Sequence, residues 1–267
     1  MSAKTLNFAN FKGGVGKTTT GVMVATLLSK FGHKTLVVDF DPQGNASEML
    51  MLTSGKQTIP KTIYEGIQDQ TLMDCVMEID ENLDLIPSDM DLVGLPLYLN
   101  KTAKNDMEKR AYLMDFLLEP LKEQYDYIII DAPPTISDYT NNAVVASDYV
   151  ILVMQTHPWS YRATEKFVPY LQEMIDSYGT SIELLGIVPV LLKKDSKTDI
   201  KILENASAKY DTHLFESTIM IRERVKRYAT TGITNDLIHD RKIRQMYGSL
   251  LKEILERIEQ LNHVKQQ

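Results

Sequence analysis

The chain has 267 residues, 43% of them hydrophobic and 24% charged, with 13 glycines and 10 prolines, which excludes a disordered or collagen-like chain and suits one α/β domain spanning residues 1–267. Its single cysteine, Cys75, excludes an internal disulfide and a cysteine-based zinc or iron–sulfur site, and suits a reducing, cytoplasmic compartment. A formal net charge of −7 excludes a protein that coats nucleic acid with its whole surface, while leaving room for a local basic patch.

Residues 1–10 lack a basic region followed by a long apolar run, so no signal peptide is expected. No stretch approaches the roughly 18 uninterrupted apolar residues of a membrane span. Residues 6–10 read as a short strand ending in a glycine-rich turn, and residues 18–31 carry Val22, Met23, Ala25, Leu27 and Leu28 at helical spacing. Residues 35–40 (TLVVDF) form a continuous apolar run of the kind buried on both faces of a parallel sheet. Further strands are expected over residues 83–86, 127–130, 149–154 and 184–190, each followed by turn chemistry or a polar stretch and then a helix. The alternation predicts a doubly wound, mostly parallel sheet with helices on both faces.

Residues 54–109, with Pro60, Pro87 and Pro96, are the least legible part and read as small helices and loops on the edge of the sheet. Residues 240–264 place Leu250, Leu251, Ile254, Leu255, Ile258 and Leu261 at helical spacing, the pattern of a closing helix packed on the sheet.

The most informative stretch is Asn10-Phe11-Lys12-Gly13-Gly14-Val15-Gly16-Lys17-Thr18-Thr19. It follows a predicted strand and opens a predicted helix, the context a phosphate-binding loop needs. Glycines let successive backbone N–H groups converge on phosphate oxygens, and the helix amino terminus adds its dipole. Lys17 suits the β- and γ-phosphates of ATP, and the Thr18 hydroxyl suits Mg²⁺. The strict pattern G-x-x-x-x-G-K-[ST] is broken by Phe11, which stands where the first glycine belongs, and a second lysine, Lys12, follows it.

Two acidic motifs end predicted strands, where ligands bind in open α/β sheets. In Val37-Val38-Asp39-Phe40-Asp41-Pro42-Gln43-Gly44-Asn45, Asp39 and Asp41 are two apart and share a face of an extended chain. In Tyr127-Ile128-Ile129-Ile130-Asp131-Ala132-Pro133-Pro134, an apolar strand delivers Asp131, the arrangement that holds Mg²⁺ in P-loop proteins.

The loop resembles that of the deviant Walker A family, K-G-G-x-G-K-[ST], which includes ParA partition ATPases, MinD, the nitrogenase iron protein and arsenite pump ATPases. The D-x-D-P-Q-G-N stretch is similar to the ParA switch, and Asp-Ala-Pro-Pro to the second switch of the family. The resemblance implies ATP bound with Mg²⁺ by Lys12, Gly13, Gly14, Val15, Gly16, Lys17, Thr18 and Thr19. It implies that Lys12 reaches across a nucleotide-sandwich homodimer to the partner's ATP, completing charge neutralisation only when two subunits meet. It further implies that Asp41 positions the attacking water, and that Thr18, Asp39, Asp41 and Asp131 form the metal shell.

Within the family, the iron protein needs paired cysteines, which Cys75 alone cannot supply. Capsule-type tyrosine kinases carry a carboxy-terminal tyrosine cluster, whereas this tail ends His263-Val264-Lys265-Gln266-Gln267. MinD-like proteins end in a basic amphipathic membrane helix; here Lys252 and Arg257 face Glu253, Glu256 and Glu259, so an anionic membrane gains little and none is expected as a partner. A MinD-like, membrane-cycling positioning ATPase is the alternative, and a nucleotide-dependent scaffold with incidental hydrolysis is a third.

The ParA resemblance implies non-specific DNA binding, association with the nucleoid and a centromere-binding ParB-type partner. Arg222, Arg224, Lys226, Arg227, Arg241, Lys242, Arg244 and Lys252, against Glu223, Asp236 and Asp240, supply a basic segment suited to salt-sensitive phosphate contact, which Lys193, Lys194 and Lys197 extend. The family's I-P-R-N-V is replaced by Ile219-Met220-Ile221-Arg222-Glu223-Arg224, so no adenine contacts are assigned. Trp159 is expected in core or interface packing. Only 11 residues precede Lys12, so no amino-terminal operator-reading domain is expected.

Overall fold

The computed structural model describes residues 2–193, 195–234 and 240–265. Met1, Lys194, Asp236, Gln266 and Gln267, named above, lie outside the described residues.

In chain order the elements are β1 (Lys4–Ala9), α1 (Lys17–Lys30), β2 (Thr35–Asp39), α2 (Asn45–Ser54) and α3 (Ile63–Gln68). They continue with β3 (Met77–Asp80), β4 (Leu83–Ile86), α4 (Leu95–Thr102), α5 (Met107–Ala111), α6 (Leu113–Lys122) and β5 (Tyr127–Asp131). The remainder is α7 (Asp138–Val145), β6 (Tyr149–Gln155), α8 (Pro158–Tyr178), β7 (Glu183–Leu192), α9 (Lys197–Tyr210), β8 (Ile219–Met220), α10 (Glu223–Thr231) and α11 (Arg241–Lys265). The strands form one sheet in the order β3-β4-β2-β5-β1-β6-β7-β8, parallel throughout except for the antiparallel β3–β4 pair. The doubly wound sheet expected from the sequence is the fold observed.

Every residue of β2 and β5 is buried because helices cover both faces. Leu6, Phe8, Val37 and Ile129 pack with α1, α2 and α11, whereas Leu36, Val38, Ile128 and Ile130 face α3, α4 and α6 on the other side. A third cluster lies under α7 and α8. Helix α11 spends its apolar stripe inward: Leu250, Leu251, Ile254 and Ile258 are buried, each contributing roughly 1.5–3 kcal/mol. That stripe is therefore unavailable to a lipid surface, and among the described residues no helix is long and apolar enough to cross a membrane.

The edge segment holds short helices, as expected, and also β3, which sequence reading did not resolve. Its alternate residues Met77 and Ile79 are buried while Glu78 and Asp80 are exposed, the pattern of a one-sided edge strand. Trp159, expected in core or interface packing, is left with the interface by its exposure. It is 68% exposed in the first turn of α8, and so is not core.

Strand order positions the site. The chain passes from β1 to β2 on one side and later to β6 on the other, so the carboxyl end of β1 is a topological switch point where a ligand crevice opens. In the parallel pairing of β2 with β5, Asp39 stands in register beside Asp131.

Candidate nucleotide site

The loop between β1 and α1 is fastened at its entry. The Asn10 side chain is buried; its Nδ2 donates to the Val153 carbonyl of β6 and to Thr164 Oγ1 of α8, each at 3.0 Å, and its Oδ1 accepts from the Lys12 N–H at 2.9 Å. Phe11 lies against Phe167 and Tyr170 of α8, with ring centroids 4.4 and 5.1 Å apart. The residue that breaks the strict loop pattern thus anchors the loop to its neighbouring helix. Gly16 ends the loop at φ +93°, a left-handed conformation that side chains resist, and caps α1. Val15 is buried in the core, while Lys12, Gly13 and Gly14 are exposed and Thr18 and Thr19 are half-buried. The Lys12 amine makes no ion pair among the described residues.

Lys17 is 8% exposed, and burial lowers its pKa, an effect opposed by the charges of Asp131 and Asp41. One ammonium and two carboxylates therefore converge from three separate segments. Thr18 Oγ1 donates to Asp131 Oδ2 at 2.7 Å, while Asp131 Oδ1 is buried without a hydrogen-bond partner among the described residues. An orphaned carboxylate oxygen beside a threonine hydroxyl is an all-oxygen donor set suited to a hard divalent cation that keeps several waters and phosphate oxygens. These residues fit Mg²⁺.

Asp39 is held at the base of the switch turn. Its Oδ2 accepts from both the N–H and the hydroxyl of Ser47 (2.8 and 2.7 Å), and its Oδ1 accepts from the Asp41 N–H at 3.2 Å. With both oxygens occupied and no exposure, Asp39 positions the turn and α2, which suits support of the metal shell from behind. Asp41 is half-buried, and its Oδ1 accepts from the Gln43 N–H at 3.0 Å. Gly44, at φ +61°, completes the turn; a Cβ there would come 3.1 Å from the Ser88 carbonyl oxygen.

Burial, and then repulsion from Asp39, raises the pKa of Asp131, while burial also raises that of Asp39. A carboxyl whose folded pKa is raised contributes stability that is present at low pH and lost as pH rises through the folded value. Accordingly, Asp131→Asn raises the Tm of the nucleotide-free protein by several degrees near pH 8 and by much less near pH 5. Thermal melts of the two proteins at both pH values check this; an equal shift at both refutes the charge account.

Beside the loop is a cleft of about 240 Å³, lined by Gly14, Gly16, Thr19 and Thr20 on one side and by residues of β7, β8, α10 and α11 on the other. Arg222 and Lys226 line it with Leu191, Met220, Val225 and Tyr247. A half-apolar cleft continuous with the phosphate loop is where a base and sugar would lie. Two of the expected DNA contacts, Arg222 and Lys226, are therefore placed at the nucleotide cleft, and Lys226 also pairs with Glu223 at 2.7 Å. A larger cleft, of about 950 Å³, lies between α11 and the segment before β8; its Arg257 and Glu253 are bonded to each other and to backbone groups, and Asp211 and Glu216 leave its lining net acidic.

Arg224 is also redirected. Its guanidinium is bonded to the Asp240 carboxylate, which Tyr228 and Thr234 also bond, and the Asp240 side chain is 2% exposed. Removing Arg224 would leave a buried carboxylate short of its cation, a change that typically costs about 3–5 kcal/mol. Arg224 is thus engaged within the chain. Arg227, Arg241 and Lys242 are exposed, and Arg244 is half-buried with a partner of its own.

A family model described as an AAA domain matches residues 3–184. Over 256 residues the chain is 29% identical to the sporulation initiation inhibitor protein Soj of Bacillus subtilis (strain 168), covering 94% of this chain and 98% of that protein. Over 260 residues it is 28% identical to the chromosome partitioning protein ParA of Caulobacter vibrioides, covering 95% and 94%. The chain belongs to the AAA-domain family, as a ParA-type ATPase. Among solved structures, this ParA-type chain resembles a plasmid partition protein of Borrelia burgdorferi B31 bound to AMPPNP, with a TM-score of 0.76 and 27% identity over 96% of this chain and 100% of that one.

Proposed function

We propose that this ParA-type ATPase is a DNA-partition ATPase. In this reading it binds ATP with Mg²⁺, pairs with a second copy around the nucleotides, holds non-specific DNA in that state, and lets go when a ParB-type partner stimulates hydrolysis. The observation that carries the reading is the contrast between the two lysines of the phosphate loop. Lys17 is buried near carboxylates of its own chain, whereas Lys12 is exposed on the same loop and makes no ion pair among the described residues.

The residues divide the work. Backbone N–H groups from Gly13 to Thr19 and the Lys17 ammonium receive the β- and γ-phosphates. Thr18 and Asp131 hold Mg²⁺, which neutralises phosphate charge when bound. Asp41, kept in place by the backbone bond to Asp39, orients the attacking water. Lys12 of each protomer serves the other's triphosphate, so ATP favours the dimer because it binds that state better. Arg227, Arg241 and Lys242 remain available for DNA.

The test is DNA binding measured with ATP, with ADP and without nucleotide across a salt series. Binding confined to the ATP state, with affinity falling steeply in salt, is the expected result; binding indifferent to nucleotide refutes the reading. Lys12→Ala retains ATP binding within about tenfold, since the buried lysine is intact, but loses ATP-dependent dimerisation by light scattering. Dimerisation equal to that of the unsubstituted chain removes Lys12 from the interface.

A further inference from the structure

Helices α8 and α9 both begin at the carboxyl ends of their strands, on the same edge of the sheet as the phosphate loop. Between their first turns lies a groove of about 440 Å³, whose lining includes Tyr161, Arg162, Lys197, Thr198, Lys201 and Asn205. Its frame is fixed by Asp199. That carboxylate accepts from the Thr156 hydroxyl at 2.8 Å, from the Lys193 N–H at 3.0 Å, and from the Ser196 hydroxyl at the cap of α9. One side chain thereby joins the β6–α8 connection to the β7–α9 connection.

The charges in the groove do not cancel. Glu165 is the acid in its lining, and Lys209 neutralises it at 2.5 Å. Asp199 is consumed by its hydrogen bonds, and Asp195 and Glu204, the other acids of this segment, do not line the groove. Arg162, Lys197 and Lys201 are exposed and make no ion pair among the described residues, and Lys193 lies exposed at the carboxyl end of β7. Lys197 and Lys201 are one turn apart on α9, about 6 Å along its axis, a spacing that lets both reach successive phosphates of one strand. Trp159, the chain's one tryptophan, is exposed next to the Pro158 that lines the groove.

We propose that the α8–α9 groove is a DNA-backbone contact of this chain, made by Arg162, Lys197 and Lys201. It rests on the DNA-binding reading above and moves the main contact away from residues 222–244, where Arg224 is held by Asp240 and Arg222 and Lys226 line the nucleotide cleft. DNA fits better than an acidic protein segment because evenly spaced phosphates need only positioned cations, with no anchor side chain to be recognised. Because the groove shares an edge with the phosphate loop, pairing of two chains there brings two such grooves into one assembly.

The experiment compares the full chain with an Arg162→Gln/Lys197→Gln/Lys201→Gln variant, both with Mg²⁺ and ATP, on random-sequence duplex DNA over a salt series. Each lost phosphate contact lowers the slope of log affinity against log salt by roughly 0.9. The variant should lose about two to three units of slope and at least tenfold in affinity at low salt, while its DNA-free ATP hydrolysis is unchanged. DNA should also alter Trp159 fluorescence in the unsubstituted chain. A variant with an unchanged slope overturns the groove while leaving the DNA-binding reading intact. If polyglutamate rather than DNA loses affinity in the variant, the groove serves an acidic protein partner and the proposal fails. An unsubstituted chain that binds no DNA in any nucleotide state removes the underlying reading and the proposal together.

Discussion

Lys17→Ala abolishes measurable ATP binding. The ammonium is buried at the first residue of α1, where burial already disfavours its charge and the charges of nearby Asp131 and Asp41 favour it. A triphosphate brought to this point presents several negative charges to two acids, and without Lys17 nothing in the buried part of the loop offsets them. Charge-assisted hydrogen bonds of this kind contribute about 1.5–3 kcal/mol each, so losing two or more costs at least about a hundredfold in affinity. The fold should survive, because alanine is a good helix former and the loop remains fastened by Asn10 and Phe11. Titration calorimetry with ATP and Mg²⁺, beside circular dichroism of the same sample, reads both quantities. Retained affinity would end the assignment of the phosphate loop.

Asp41→Ala has the opposite signature: ATP stays bound and is not consumed. The backbone N–H of Asp41 is held by Asp39, and Asp39 in turn by Ser47, so the turn keeps its shape when the side chain is removed. What disappears is the half-buried carboxylate proposed to orient water, together with one negative charge near Lys17 and Asp131. Turnover should fall by roughly 10²–10⁴, while ATP affinity is equal or better because a repulsive charge has gone. In a DNA-binding assay the substituted chain should remain on DNA with ATP long after the unsubstituted chain, given its partner, has released. Normal hydrolysis would show that another group handles the water.

Much of this architecture is legible in the sequence because parallel strands buried on both faces cannot alternate. TLVVDF and YIII announce themselves as unbroken apolar runs, and both end in the aspartates that the register of β2 and β5 then sets side by side. The loop is legible for a related reason: glycine at left-handed positions and lysine before threonine leave few other readings. Strand β3 was missed because four residues on an edge, buried on one side only, carry too little periodicity to stand out from the turns around them. The pairing within the basic segment is not legible, because counting charges cannot see which of them meet. Arg224 and Asp240 are sixteen residues apart and meet only in the folded chain. Asn10 gave no signal at all, since its partners Val153 and Thr164 lie more than 140 residues away.

The attachment of the loop through Asn10 and Phe11 has a mechanical consequence. These residues tie the phosphate seat to β6 and α8, whereas both aspartates that face it, Asp41 and Asp131, follow or end strands on the opposite side of β1. The seat is thus suspended between two flanks of the molecule and meets along the central strand. A few degrees of added coil in the sheet would change the gap between cation and carboxylates, so the stiffness of β1, wedged between helical layers, keeps the two flanks in alignment.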